Sequence, residues 1–241
     1  MGHFLPDDSP LFNPPSSLHP KQRVAVDGVR LALDMLSEAW SRLSVELEAL
    51  SLNPEAPLTR DRLARVYMNA WIVIDVIHRL RLLLLAMPGL KRTPEVELAI
   101  RAFEQVGELR DGFQHIYERM QDAVTEGRPL WGSLSWVWSP LETLGVKAKV
   151  FSIVIGGIRP GKVPMLNPLG KELTVPLGAV TAYAFGHSAD LSCQLDRVTR
   201  VAAYLDNALR QVCSPKGEMA DVLMSVDIEY GHGSIESPGA A

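Results

Sequence analysis

Val26, Val29, Leu33, Leu36, Trp40, Leu43, Leu47 and Leu50 recur at steps of three and four residues. On an α-helix that spacing lines one side along its whole length. The start of the chain is therefore committed to a long amphipathic helix with one buried face, running from Lys21 until Asn53, Pro54 and Pro57 end it. The stretch before it holds Pro6, Pro10, Pro14, Pro15 and Pro20 and reads as a flexible leader over residues 1–20. Asp7 and Asp8 stand there without an apolar core, so it is not a secretory signal, and Pro6 occupies the place where a myristoylation motif takes Ser or Thr.

A second helix, capped by Thr59, carries Leu63, Tyr67, Ala70, Trp71, Ile74, Ile77 and Leu84 on nearly every face, as suits the middle of a bundle. Asp75, His78, Arg79 and Arg81 interrupt its apolar run, which argues for a buried helix of a soluble protein and against a membrane span. Met87-Pro88-Gly89 stops it. From Pro94, a stripe of Val96, Ile100, Phe103, Val106, Leu109, Phe113, Ile116 and Met120 predicts one more helix to about Glu126, with Gly107 and Gly112 as its bending points.

After Trp131 the period changes. Leu134, Trp136 and Trp138 alternate with smaller residues, Lys147 to Ile155 is rich in strand formers, and Asn167-Pro168-Leu169-Gly170 is placed to turn a hairpin between Lys162–Leu166 and Leu173–Leu177. Val180–Phe185 and Ala189–Leu191 are further strand candidates. Helical spacing returns at Leu195, Val198, Val201, Ala202, Leu205 and Leu209, with Ser192 as the expected cap. The fold class is α+β: a bundle of about four long helices, the first three over residues 21–127 and the last returning over 192–213, with an antiparallel β meander over 128–191 inserted before it, all in one domain, and a mobile tail over 214–241.

Composition narrows the functional classes. With 47% hydrophobic and 22% charged residues the chain is an ordinary folded protein, and its formal net charge of −4 excludes a broad basic surface for nucleic acid. The two cysteines, Cys193 and Cys213, lack metal-ligand spacing, so both read as reduced thiols of a cytoplasmic protein and no metal is expected. No cofactor is expected either, since Gly156-Gly157 and Pro160-Gly161 match neither a P-loop nor a dinucleotide fingerprint.

The chemistry concentrates in Leu109-Arg110-Asp111-Gly112-Phe113-Gln114-His115. A permanently charged guanidinium can clamp phosphate, and an imidazole can carry a proton near neutral pH. Set late in a helical bundle, this motif resembles that of the HEPN superfamily, in which an arginine, a polar neighbour and a histidine follow one another with four to six residues between arginine and histidine. The resemblance covers residues 21–126 and leaves the β segment outside it. It implies a metal-independent endoribonuclease, of toxin or defence type, in which Arg110 stabilises phosphate charge, His115 acts as acid or base, Asp111 orients, and two protomers bring their motifs together. The alternative is a noncatalytic HEPN-like interaction or scaffold protein.

On a straight helix Arg110 and His115 stand about 140° apart and cannot grip one phosphate. Either a bend near Gly112 or a two-fold homodimer across the stripe of Phe113, Ile116 and Met120 resolves this. The competing reading pairs Arg110 with Glu104, Glu108 or Asp111. His78 and Arg79 are candidate substrate-binding residues in the same cleft, although Asp75 and Arg79, four residues apart, suit an intrahelical ion pair. Trp136 and Trp138 share a strand face that suits core packing, with base stacking as the alternative. His187 reads as a turn residue.

Overall fold

The computed structural model describes residues 3–126, 129–138, 148–155, 180–212 and 223–225. The long stripe forms α1 (Pro20–Leu52), and the second helix forms α2 (Arg60–Ala86). His19 caps α1 in a reciprocal arrangement with Gln22, and the Thr59 hydroxyl accepts from the Arg62 amide at the start of α2. The two helices pack along each other, and Val29, Leu33, Leu36, Leu43, Val66, Val73, Ile74 and Ile77 are sealed between them and their neighbours.

The next apolar stripe is not one helix. It divides into α3 (Pro94–Ala102), α4 (Glu104–Gln114) and α5 (Ile116–Glu126), broken at Phe103 and His115. Neither expected glycine bends the chain, because both serve close approach inside α4. A Cβ on Gly107 would stand 3.0 Å from Nδ1 of His78, and one on Gly112 would overlap the Phe185 ring. The chain breaks elsewhere. Phe103 is fully buried at its joint, and at His115 the backbone leaves helical values with φ −100° and ψ 30°.

Among the described residues four strands follow: β1 (Ser133–Trp138), β2 (Lys149–Val154), β3 (Val180–Ala184) and β4 (His187–Asp190), before α6 (Leu191–Arg210). All pairings are antiparallel, but the order is β2-β1-β3-β4, so β3 returns to the far side of β1 and the sheet is not the expected meander. The expected hairpin over 162–177 lies outside the described residues, as does most of the expected tail. Asp190, not Ser192, caps α6 by accepting from the Cys193 amide at 3.2 Å, and the Ser192 hydroxyl accepts instead from the Val180 amide at 2.8 Å. Four long helices therefore become three long and three short ones among the described residues.

Trp136 is 5% exposed, stacks on Phe151 across the strand pair, and donates its indole N–H to Ser51 Oγ at 2.8 Å. That bond ties β1 to the end of α1, so this tryptophan is core and offers no base a platform.

The leader is also packed rather than flexible in its described part. Pro10 opens a 3-10 turn over Pro10–Phe12, and Leu5 and Leu11 are buried against the helices. Ser9 Oγ donates to Asp206 at 2.5 Å, and Asp8 receives two bonds from Arg210, at 2.7 and 3.1 Å. Sequence alone gave prolines and turn formers. The burial of Leu11 under α6 is a contact across the whole chain that no local pattern announces. Among the described residues no helix is long and apolar enough to cross a membrane.

Candidate functional site

Helix α4 is positioned from two sides. Leu109 and Val106 bury one face against α2, while the β3–β4 hairpin covers another. The hairpin turns on Phe185 and Gly186, both with positive φ (53° and 83°), the signature of a tight type I′ connection. Its tip lays the Phe185 ring over Gly112 and edge-on to Phe113, with centroids 4.9 Å apart. His187, at the start of β4 rather than free in a turn, adds a contact to Glu108 at 3.1 Å.

Arg110 points from this helix toward α2. Its guanidinium donates to Asp75 Oδ1 at 3.3 Å and to Gln114 Oε1 at 2.6 Å, and lies 3.5 Å from the Asp111 carboxylate. Asp75 also receives Arg79, so the expected i, i+4 pair is present and the same carboxylate joins both arginines. Burial pushes the Asp75 carboxyl up, but the bonds from Arg79 and Arg110 outweigh it and hold the group below the usual carboxylate range. The other expected partners of Arg110 are engaged elsewhere: Glu104 with Arg81 at 2.9 Å and Glu108 with His187. Asp75 was visible in the sequence as Arg79's partner, but its second oxygen reaches α4 only through packing of the two helices.

The histidines divide. His78 is buried on α2 beside Gly107, and its Nδ1 has no hydrogen-bond partner among the described residues. Burial, then the charge of Arg110, lowers its pKa below the ordinary imidazole value, so it is neutral at pH 7. His115 sits at the α4–α5 joint with 58% of its side chain exposed and Nδ1 3.3 Å from Glu118 Oε1. The structure thus brings together Arg110, Asp111, Asp75 and Arg79, with His78 behind them. His115 has no bond to that cluster among the described residues, and Arg79 is largely exposed beside it.

One groove lies outside the sequence expectations, and the expected dimer stripe is only partly free, because Phe113 packs against Trp71, Trp131 and Phe185. A groove of about 560 Å³ between α1, α2 and the Trp131 turn is lined by Met35, Met68, Trp71, Ile72 and Trp131, and Asp75 is the one charged residue among the described residues of its wall. Phe113 backs both tryptophans. Helix α5 carries Tyr117, Met120 and Val124 on its surface, with Tyr117 85% exposed. Among the described residues no group of three or more histidine, cysteine or acidic side chains is placed to hold a metal ion. Comparison with protein-family models, with curated proteins and with solved structures returns no match.

Proposed function

We propose that this protein is a HEPN-type, metal-independent endoribonuclease, of toxin or defence type, acting as a two-fold homodimer. The observation that carries the reading is the helix break at His115. It leaves an exposed imidazole at the end of a helix whose Arg110, one and a half turns earlier, is oriented by Asp75 and Gln114. In this reading Arg110 neutralises charge developing on the phosphate, His115 takes the proton of the ribose 2′-hydroxyl or returns one to the leaving oxygen, and Asp111 orients the guanidinium. One protomer holds the two groups apart, so a second protomer completes the clamp. The exposed Tyr117, Met120 and Val124 on α5, adjoining His115, supply an apolar face for that association.

The same face supports a second reading, a noncatalytic HEPN-like protein that holds a partner through α5. Incubation of labelled RNA with the protein in EDTA separates the two. Cleavage that is lost in both His115→Ala and Arg110→Ala is expected. Cleavage equal in the variants, or absent over a broad RNA panel, removes the nuclease. Light scattering at micromolar concentration tests the dimer, and a monomer counts against the composite site.

A further inference from the structure

The groove beside Arg110 has the chemistry of a base pocket. Trp131 is 47% exposed, yet it is held firmly. Its neighbour Gly132 has φ 68°, donates to the Pro129 carbonyl at 3.0 Å and accepts from the buried Tyr67 hydroxyl at 3.3 Å. A Cβ at Gly132 would collide with the β3 backbone, so the turn is locked against the sheet. Trp71, on α2, shares the groove, and Phe113 supports both rings from behind. The result is a pre-ordered aromatic surface flanked by flexible Met35 and Met68, in a volume within the range of small-ligand sites, roughly 300–1,000 Å³.

The groove ends on Asp75, where two guanidiniums share one carboxylate. Asp75 holds Arg79 and Arg110 through their Nε atoms, and the Arg79 side chain is 64% exposed, so the Nη donors at this end of the groove are placed for a phosphodiester oxygen to accept from them beside the carboxylate. We infer that the groove seats one unpaired nucleobase of a single-stranded RNA whose neighbouring phosphate lies on Arg110 and Arg79. This rests on the nuclease reading above and supplies its substrate class. Duplex RNA does not fit the requirement, because its bases are already stacked on one another. The charges of Asp75 and Asp111 offset those of Arg79 and Arg110, so stacking must carry most of the affinity. Binding should then be weakly salt-dependent, with a slope of log K on log salt of about −0.7 for the one phosphate engaged.

Fluorescence anisotropy with a short 2′-O-methyl oligoribonucleotide tests this, since the probe lacks the free 2′-hydroxyl and reads binding without cleavage. The single strand is expected to bind with that shallow slope, while an abasic strand of equal length and the duplex bind much more weakly. Trp131→Ala should weaken binding about five-fold or more, and Trp131→Phe should retain most of it. Met68→Glu, a change at a 51% exposed position on the groove wall, should also weaken it, with far-UV circular dichroism confirming that each variant is folded. Equal binding of the abasic strand, unchanged affinity in Trp131→Ala, or no binding at all overturns the inference, and the last is the result expected if a protein segment occupies the groove. If the probe binds through Trp131 but unmodified RNA survives, the nuclease reading fails and the base pocket stands. If RNA is cut equally well by Trp131→Ala and the abasic strand binds like the normal one, the base pocket fails and the nuclease stands.

Discussion

Replacing Gly112 by alanine should destabilise the protein, although glycine is a poor helix former and alanine the best. In an open helix the change gains about 1 kcal/mol. Here the new methyl overlaps the Phe185 ring, whose Cγ lies 3.0 Å from the Cβ position. Phe185 has little freedom to yield, because it occupies a two-residue turn at φ 53° and its ring is held against Phe113. Overpacking costs about 1–3 kcal/mol, and three ring atoms within 3.1 Å of the new Cβ put this site in the upper part of that range, about 2–3 kcal/mol, which leaves a net loss of about 1–2 kcal/mol. For a domain of this size that lowers Tm by about 2–8 °C. The sign should reverse in a Phe185→Asn background. Asparagine tolerates the positive φ, forms a favoured Asn-Gly turn with Gly186, and removes the ring. There Gly112→Ala should stabilise by about 0.5–1 kcal/mol, giving a coupling of about 1.5–3 kcal/mol in the cycle. Thermal or urea unfolding of the four proteins reads it directly. Additive effects, or a stabilising Gly112→Ala in the parent, would refute the claim that hairpin and helix meet at this glycine.

Ser51→Ala leaves the buried Trp136 indole N–H without its acceptor and should cost about 1–3 kcal/mol, seen as a lower urea midpoint; an unchanged midpoint would sink the β1–α1 tie. The bond from Arg210 holds the Asp8 carboxyl below its usual range, so the leader clasp is present above the ordinary aspartate value and is lost as pH falls through the lowered one. Limited proteolysis should accordingly cut the leader faster in Asp8→Asn than in the parent at pH 7, with the difference gone in strong acid; equal rates at pH 7 would count against the clasp. His78 is lowered by burial and then by Arg110, so protonation favours the unfolded chain. Stability should fall as pH drops below the ordinary histidine value of 6.5, and the Tm difference between pH 8 and pH 5 should shrink in His78→Leu. An identical difference in both proteins would remove His78 as its source.

Helices α1, α2 and α6 were legible because each carries its apolar residues at helical spacing over many turns, and β1 because Leu134, Trp136 and Trp138 alternate. The division into α3, α4 and α5 was not, since the stripe from Val96 to Met120 continues through both breaks. Periodicity reports which face is buried, not whether the axis is straight. Glycine carries the same ambiguity: in a helical stripe Gly107 and Gly112 suit hinges, whereas in the fold each makes room for a side chain from elsewhere, His78 and Phe185. The strand order could not be read from alternation, which does not say on which side of β1 the chain returns. At the candidate site the residue types were visible but the partners were not. Arg110 belongs to Asp75, 35 positions away, and the exposed tryptophan is Trp131, outside the alternating run that drew attention to Trp136.

The docking of the leader on α6 has a consequence for how the chain is made. The Ser9–Asp206 bond closes a separation of 197 residues, and Asp8 meets Arg210 across 202. On a ribosome α1 and α2 can pair while the rest is still being synthesised, but the turn carrying Leu11 packs on both α1 and α6, so its burial is incomplete until α6 has emerged. Completion of the core therefore waits for α6, and at about 5–20 residues per second the early helices spend roughly 6–25 seconds with the α6-facing surface uncovered. That interval, more than the stability of the finished molecule, is when this chain is most exposed to aggregation and to capture by chaperones.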